Sequence, residues 1–280
     1  MHKKLQVSKY TAIKQLLYSK ILTATSVYTC KEKALYREYD KVSLYKRRDK
    51  NRILYISGVA LSLSKSQNCH PMEITRAIAS HLSANCDDEF NLEIVPPGYI
   101  YLVVSDRILA VWLQSLVDQS RGWGDNLGMG QDLIPDSSRL FGVQYAHARC
   151  CSLLRLAGLE GLIQFREPNK QNNPANTINW LHGSQLRFEQ EASWNLISQL
   201  LQVVDDLECP NCAGSVNWEK AALRLSQAWE TFFSKCRIWG EVKIATPELA
   251  NARLGLVMAT QSVLRFLLEE KFGVFAQIEL

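Results

Sequence analysis

From about residue 143 to residue 272, apolar side chains recur every three to four positions through four successive segments. The segments are Val143–Leu162, Gln185–Val204, Trp218–Trp239 and Pro247–Phe272. In the second, Leu186, Trp194, Ile197, Leu201 and Val204 fall on one face, and in the last Leu249, Leu256, Ala259, Val263 and Phe266 do. A helix with one apolar stripe must bury it against another element, and four such helices joined by loops make a bundle. The pattern therefore predicts an all-α bundle over residues 141–280. Arg166–Thr177, rich in Asn and with two prolines, reads as a loop or mobile insertion within it.

The first part of the chain has a different rhythm. Tyr10–Thr25 reads as a helix with Ile13, Leu16, Leu17, Ile21 and Leu22 in one stripe, and Tyr28–Arg52 is basic and rich in tyrosine. Ile53–Ser64 is mostly apolar and ends in helical spacing. Pro71–Leu82 opens with a proline suited to a first helical turn. Leu92–Val95 and Tyr99–Val104 read as two strands around Pro96-Pro97-Gly98, and Asp106–Val117 as a helix. Residues 1–117 are thus predicted to form a small α+β domain, and the whole chain to be mainly α. Residues 118–140 form a linker punctuated by Gly122, Gly124, Gly128 and Gly130. These glycines lack the GK[ST] ending of a P-loop and a strand-turn-helix frame, so they read as a connector.

Charge is distributed unevenly. Residues 1–52 carry fourteen basic and four acidic side chains, a local +10, so the net +4 of the 280-residue chain leaves −6 for the remainder. A basic end on a mildly acidic body points to a polyanion partner, nucleic acid first and a membrane surface second. No apolar run approaches the roughly 20 residues of a membrane span. No apolar stretch with a small-residue cleavage site follows the basic start, so no secretory signal is expected. The eight cysteines sit mostly inside apolar patterns and read as small buried hydrophobes in a reducing compartment, the cytoplasm.

Few residues suggest catalysis. Cys209 and Cys212 form a CxxC, but no second pair or close His pair completes four zinc ligands, so no metal and no cofactor are expected. His147 has no nucleophile elbow, HExxH or paired carboxylates around it. Asp205-Asp206 reads as a helix-end charge pair. Trp194, Trp229 and Trp239 read as core, unless exposed, where aromatic rings stack on unpaired bases.

One segment carries a resemblance. Phe141–Arg155, FGVQYAHARCCSLLR, resembles the first helix of the anticodon-binding domain of arginyl-tRNA synthetases, with Val143, Gln144, Tyr145, Ala146, His147, Ala148, Arg149, Cys151, Ser152, Leu154 and Arg155 in family order without a gap. Leu249–Leu264, LANARLGLVMATQSVL, is similar to the family's Leu-Arg-x-Ala-Arg-Leu-x-Leu-Val-x-Ala-Thr-x-x-Val-Leu run. Leu223–Ser226 and Trp229–Phe233 occupy the stretch of its Arg-Leu-Ala helix and Phe-x-x-Phe/Tyr. In the first half, Ser57–Lys65, Pro71–Leu82 and Pro97-Gly98-Tyr99-Ile100 resemble the additional domain that precedes the synthetase core and touches the tRNA elbow. There Tyr99 keeps an aromatic, and Tyr101 stands where the family has Asn. Between the halves, neither a HIGH nor a KMSKS motif appears.

The chain thus resembles an arginyl-tRNA synthetase without its catalytic core, a stand-alone protein with the DALR anticodon-binding domain. The resemblance implies tRNA as partner, an arginine isoacceptor first, held at the anticodon arm and the elbow. It implies a role as a non-catalytic adaptor or regulator, presenting tRNA to a modifying enzyme or other protein. The contact candidates are Gln144, Tyr145, His147, Arg149, Arg155 and Arg253, with Tyr99, Tyr101, Arg47 and Arg48 in the first half. Two alternatives stand beside it: a scaffold that has lost RNA binding, and an accessory subunit of a split arginine–tRNA ligase.

Overall fold

A computed structural model describes residues 12–31, 42–47, 49–84, 89–120, 137–163, 177–208 and 215–280. The chain opens with helix α1 (Ile13–Lys31), which buries Ile13, Leu17, Ile21, Ala24 and Tyr28 along one stripe. It runs past Thr25, where the sequence reading ends it. The Thr25 and Ser26 hydroxyls donate back to the carbonyls of Ile21 and Leu22, at 2.7 and 2.9 Å, so the polar side chains are satisfied within the helix.

Four strands follow where two are expected. They are β1 (Leu44–Arg47), β2 (Leu54–Ser57), β3 (Phe90–Val95) and β4 (Tyr99–Val104), joined antiparallel in the order β1-β2-β4-β3. Strands β1 and β2 are four residues each, and no clean alternation marks them. Pairing sets their faces: Tyr55 lies opposite Leu102 and Lys46, and Ile56 opposite Tyr101 and Tyr45. Tyr55, Ile100, Leu102, Val104 and Phe90 therefore share one face, which packs into the core with α1 and with α3 (Pro71–Ser83). Helix α2 (Val59–Gln67) links β2 to α3. The turn at Gly98 is pressed against Pro71 and Leu61, where an added Cβ would come within 2.9 and 3.1 Å.

Helix α4 (Asp106–Ser120) comes next. The sequence reading gives it to the N-terminal domain, yet it packs against the last long helix, α9 (Pro247–Phe266). Its Gln114 Oε1 accepts from the Ile178 N–H at 3.1 Å and the Trp180 indole N–H at 3.0 Å. Its Asp106 Oδ2 accepts from the Leu186 N–H at 2.8 Å. The strapped segment contains a hairpin of β5 (Leu181–His182) and β6 (Gln185–Leu186). The helix predicted from Gln185 consequently begins only at Glu191.

The rest is helical: α5 (Ser137–Leu159), α6 (Glu191–Glu208), α7 (Trp218–Lys235), the short α8 (Glu241–Ala245), α9, and a π-helical turn at Leu267–Lys271. Helix α7 starts where the Asn217 side chain caps the Lys220 N–H at 2.9 Å. Helix α9 is buried almost all round, from Ala250 to Phe266, and is the axis of the bundle. Gly255 sits where Ile178 and Trp180 cross α9, and any Cβ there would collide with both side chains. Buried side chains form one continuous core from α1 to the π-helical turn.

The two halves meet at a buried polar cluster. Asp205 of α6, 1% exposed, accepts from the Lys14 backbone N–H at 3.0 Å and from the Tyr55 hydroxyl. Burial pushes its carboxyl up to about 6, against the hydrogen bonds from Tyr55 and Lys14 and the charge of Lys46. Beside it, the Lys46 ammonium donates to the Ser198 carbonyl and to the Ser198 hydroxyl, the latter at 3.1 Å. Burial brings Lys46 down to about 8, with Asp205 and Asp206 opposing that fall.

Two stability predictions follow from these contacts. Tyr55→Phe removes a donor from a buried carboxylate and is expected to cost about 1.5–3 kcal/mol in urea unfolding. Gly255→Ala overpacks the crossing and is expected to cost about 1–3 kcal/mol or more. Wild-type midpoints for either variant would contradict the corresponding contact.

Candidate nucleic-acid interface

Helix α5 has two working faces. Val143, Ala146, His147, Cys150, Leu153 and Ala157 follow the helical repeat into the core, against α7 and α9. Phe141, Tyr145 and Arg149, each four residues apart, form an outward ridge. The Phe141 and Tyr145 rings are 59% and 46% exposed and stack with centroids 6.3 Å apart and planes at 23°. The Arg149 guanidinium lies 5.0 Å over the Phe233 ring of α7, which in turn stacks on Trp229 at 5.9 Å. The ridge therefore offers ring faces and a cation together, the surface chemistry that takes unpaired bases and phosphates.

The C-terminal segment is clamped along the same helix. Gln144 donates from Nε2 to the Phe275 carbonyl at 2.7 Å, and its Oε1 accepts from the Gln277 N–H at 3.0 Å. His147 lies 2.8 Å from the Gln277 carbonyl through Nδ1 and 3.0 Å from Gln261 Nε2 through Nε2. A carbonyl only accepts, so Nδ1 carries the proton and Nε2 accepts from the Gln261 amide. Burial lowers His147 to about 4, the Gln277 carbonyl opposing and the Arg265 charge reinforcing the shift. Arg155 reaches Glu279 at 3.1 Å in an exposed ion pair. Phe275, Ile278 and Leu280 are left exposed beside α5.

Three predicted contact residues are thus inward-facing. Gln144 and His147 are 9% and 1% exposed, and they position the C-terminal segment. Arg253 is 3% exposed and donates to the Arg237 carbonyl and Gln190 Oε1. Its helix, α9, is the bundle axis, so Arg253 does not join Arg149 and Arg155 on a basic face. It ties together the approaches to α6 and α8 instead. Tyr145, Arg149 and Arg155 are outward-facing as expected.

In the sheet, Tyr45, Arg47, Tyr99 and Tyr101 lie on the face turned away from α1 and α3. Arg47 donates from Nη1 to the Tyr101 hydroxyl at 3.2 Å, and Tyr45 is 49% exposed. Arg48, Cys209 and Cys212 lie outside the described residues. Trp194 and Trp229 are core, and Trp239 is half-buried with its indole N–H on Glu160 at 3.0 Å. Among the described residues no group of three or more His, Cys, Asp or Glu is arranged to hold a metal, and no helix is long and apolar enough to cross a membrane.

Sequence reasoning missed Phe141, Phe233, Phe275 and Tyr45. Phe141 and Tyr145 were detectable as aromatics out of phase with the Val143, Ala146, Cys150 stripe. Phe233 follows the core residue Phe232 directly, and only the packing of α5 on α7 separates the two roles.

A family model matches this region. Residues 143–269 match the DALR anticodon binding domain. The match covers just under half of the chain. It runs from α5 to the π-helical turn, so the α5 ridge from Tyr145 onward, Phe233 and Arg253 fall inside it, and the sheet residues outside. The chain is also similar to the arginine–tRNA ligase of Gloeobacter violaceus, 37% identical over 70 residues, which is 25% of this chain and 11% of that protein. It is 28% identical over 148 residues to the arginine–tRNA ligase of Chlorobium phaeobacteroides, 52% of this chain and 24% of that protein. A third such ligase, from Synechococcus sp. strain JA-3-3Ab, is 29% identical over 138 residues, 48% and 21% of the two chains. The chain spans a quarter or less of the length of these relatives. No solved structure matches it.

The buried His147 of the DALR domain makes a pH prediction. Its pKa is lowered by folding, so its contribution is present above its ordinary 6.5 and is lost as pH falls through about 4. Asp205, raised to about 6, works in the opposite sense over much of the same window. The test is therefore a difference: relative to His147→Gln, the parent should lose up to about 3 kcal/mol between those limits. Parallel pH profiles for the two proteins would show that His147 is not held neutral.

Proposed function

We propose that this chain is a non-catalytic tRNA-binding protein that holds the anticodon arm on the α5 ridge of its DALR domain, as an adaptor or regulator. The observation that carries the reading is the exposed row Phe141, Tyr145, Arg149 and Phe233 on a domain whose name is anticodon binding. Stacking on exposed rings contributes about 1–3 kcal/mol per base, and the guanidinium adds a phosphate or base contact. The likeness to arginine–tRNA ligases favours an arginine isoacceptor. The sheet face that carries the exposed Tyr45 and Arg47 and the half-buried Tyr99 and Tyr101 is the proposed elbow contact. Tyr101 then acts by stacking, because a phenol cannot reproduce the two-sided hydrogen bonding of an amide.

Absence of catalysis is part of the proposal. The internal segment 118–140 has neither HIGH nor KMSKS motif, and about 20 residues are too few for one βαβ unit of 30 or more. Incubation with arginine, ATP and pyrophosphate is expected to give no exchange above background.

A scaffold that has lost RNA binding is the second reading. The inward Arg253, Gln144 and His147 and the paired Arg155 favour it, since they remove four of the expected contacts from the free surface.

Binding to total tRNA over a salt series, with sequencing of the bound fraction, separates the two. Under the tRNA reading one isoacceptor family is enriched and affinity falls steeply with salt. Tyr145→Ala and Arg149→Ala should each weaken binding about tenfold, the size of one lost stacking or charged contact. Affinity indifferent to both substitutions and to tRNA identity would leave the scaffold reading.

A further inference from the structure

A cleft of about 570 Å³ lies where β1 and the loop after it meet helices α6 and α7. Its size is that of a site for a small polar ligand. Five cationic side chains and three carboxylates line it. Of the carboxylates, Asp49 pairs with Arg52 at 2.9 Å, and Asp206 takes a bond on each oxygen from the neutral Gln202 amide, at 2.9 and 3.0 Å, so the lining stays net positive with Asp206 and Glu191 still counted as charged. Lys50, Lys220 and Arg224, by contrast, have no carboxylate partner among the described residues. Lys220 and Arg224 stand one turn apart on α7 and so share a face. Lys46 completes the set from β1, with two of its three ammonium donors on Ser198.

We propose that this junction cleft is a phosphate-binding site. Lys50, Lys220 and Arg224, grouped without a carboxylate partner among the described residues, repel one another, and an oxyanion relieves that repulsion while accepting their N–H bonds. Arg224 and Lys220 approach from the bundle and Lys46 and Lys50 from the sheet, so the ligand bridges the two halves. The cleft also takes in the N-terminal end of α7 at Asn217, where backbone N–H groups and the helix dipole favour an anion. Among the described residues its lining has no aromatic side chain, so recognition there falls on phosphate groups and not on bases. Asn195 and Gln199 on α6 supply amides for sugar or bridging oxygens. The phosphate comes from one of two sources, a free phosphorylated small molecule or an RNA backbone. The site is separate from the α5 ridge and does not depend on the anticodon reading.

The test titrates the full chain by calorimetry with pyrophosphate and with a short oligocytidylate. The Lys220→Ala/Arg224→Ala double variant is compared with Arg76→Ala, an exposed cation on α3. The expected result is a loss of about tenfold or more for at least one probe in the double variant, and none in Arg76→Ala. Loss for pyrophosphate with oligocytidylate unaffected assigns a small phosphorylated ligand. Loss for oligocytidylate without pyrophosphate binding assigns an RNA backbone. Equal losses in the control, unchanged affinities in the double variant, or no binding of either probe overturns the site. Should the double variant unfold, Lys50→Ala on the exposed loop carries the same comparison. Tyr145→Ala, titrated with an anticodon stem-loop, reports on the α5 ridge independently, so failure of one reading leaves the other standing.

Discussion

The carboxylate of Asp205 holds the two halves of this chain in register. It is buried at the meeting point of α6, the start of α1 and strand β2, and each of its oxygens has a partner there. A buried carboxylate without such partners would cost several kcal/mol, so the Tyr55 hydroxyl and the Lys14 N–H can only be where they are if sheet and bundle dock in this one way. Lys46, bound to Ser198 on the same helix, adds a second polar link from β1. Apolar packing alone would tolerate sliding between the halves, whereas directed bonds in a desolvated pocket do not.

The same docking shapes both candidate binding surfaces. On the outer sheet face Tyr45 and Arg47 are exposed and Tyr99 and Tyr101 half-buried, around the buried Leu54 and Ile56, while α1 and α3 pack on the opposite face. The docking also leaves a cation-lined cleft at the seam. At the far side, α4 is taken into the bundle: Gln114 and Asp106 strap down residues 178–186 across α9, and Gly255 is the point of closest approach. A helix that by order belongs with the sheet thus serves the core of the DALR domain.

The α5 ridge depends on a different constraint. Its inward face must pack on α7 and α9, and Gln144 and His147 on that face engage backbone groups of the C-terminal segment. Polar residues of the YAHAR run are therefore divided between two jobs. Gln144 and His147 organise protein, and Tyr145 and Arg149 meet solvent. Their neutral or delocalised chemistry suits each place: a histidine held neutral by burial donates to one carbonyl, while a guanidinium keeps its charge over a ring.

Much of this was legible in the residue order. The helical repeat of the second half, the Pro71 helix, the strands around Pro96-Pro97-Gly98 and the DALR motifs are local patterns, and local patterns survive in a linear string. Tyr145, Arg149 and Arg155, named as contact candidates through the resemblance, do face solvent. Strands β1 and β2 were not legible, since four-residue strands, one in a basic segment and one at the start of an apolar run, take their conformation from their pairing partners. The inward turn of Arg253 was also hidden: charge argues for the surface, and only the carbonyl of Arg237 and the amide of Gln190 make burial tolerable. Sequence by itself determined the helical bundle, because its apolar repeat lies within single elements. The tertiary structure alone decided which charged residues reach solvent, how the sheet docks and where a cleft opens, because these depend on desolvation and hydrogen bonds between residues up to 191 positions apart.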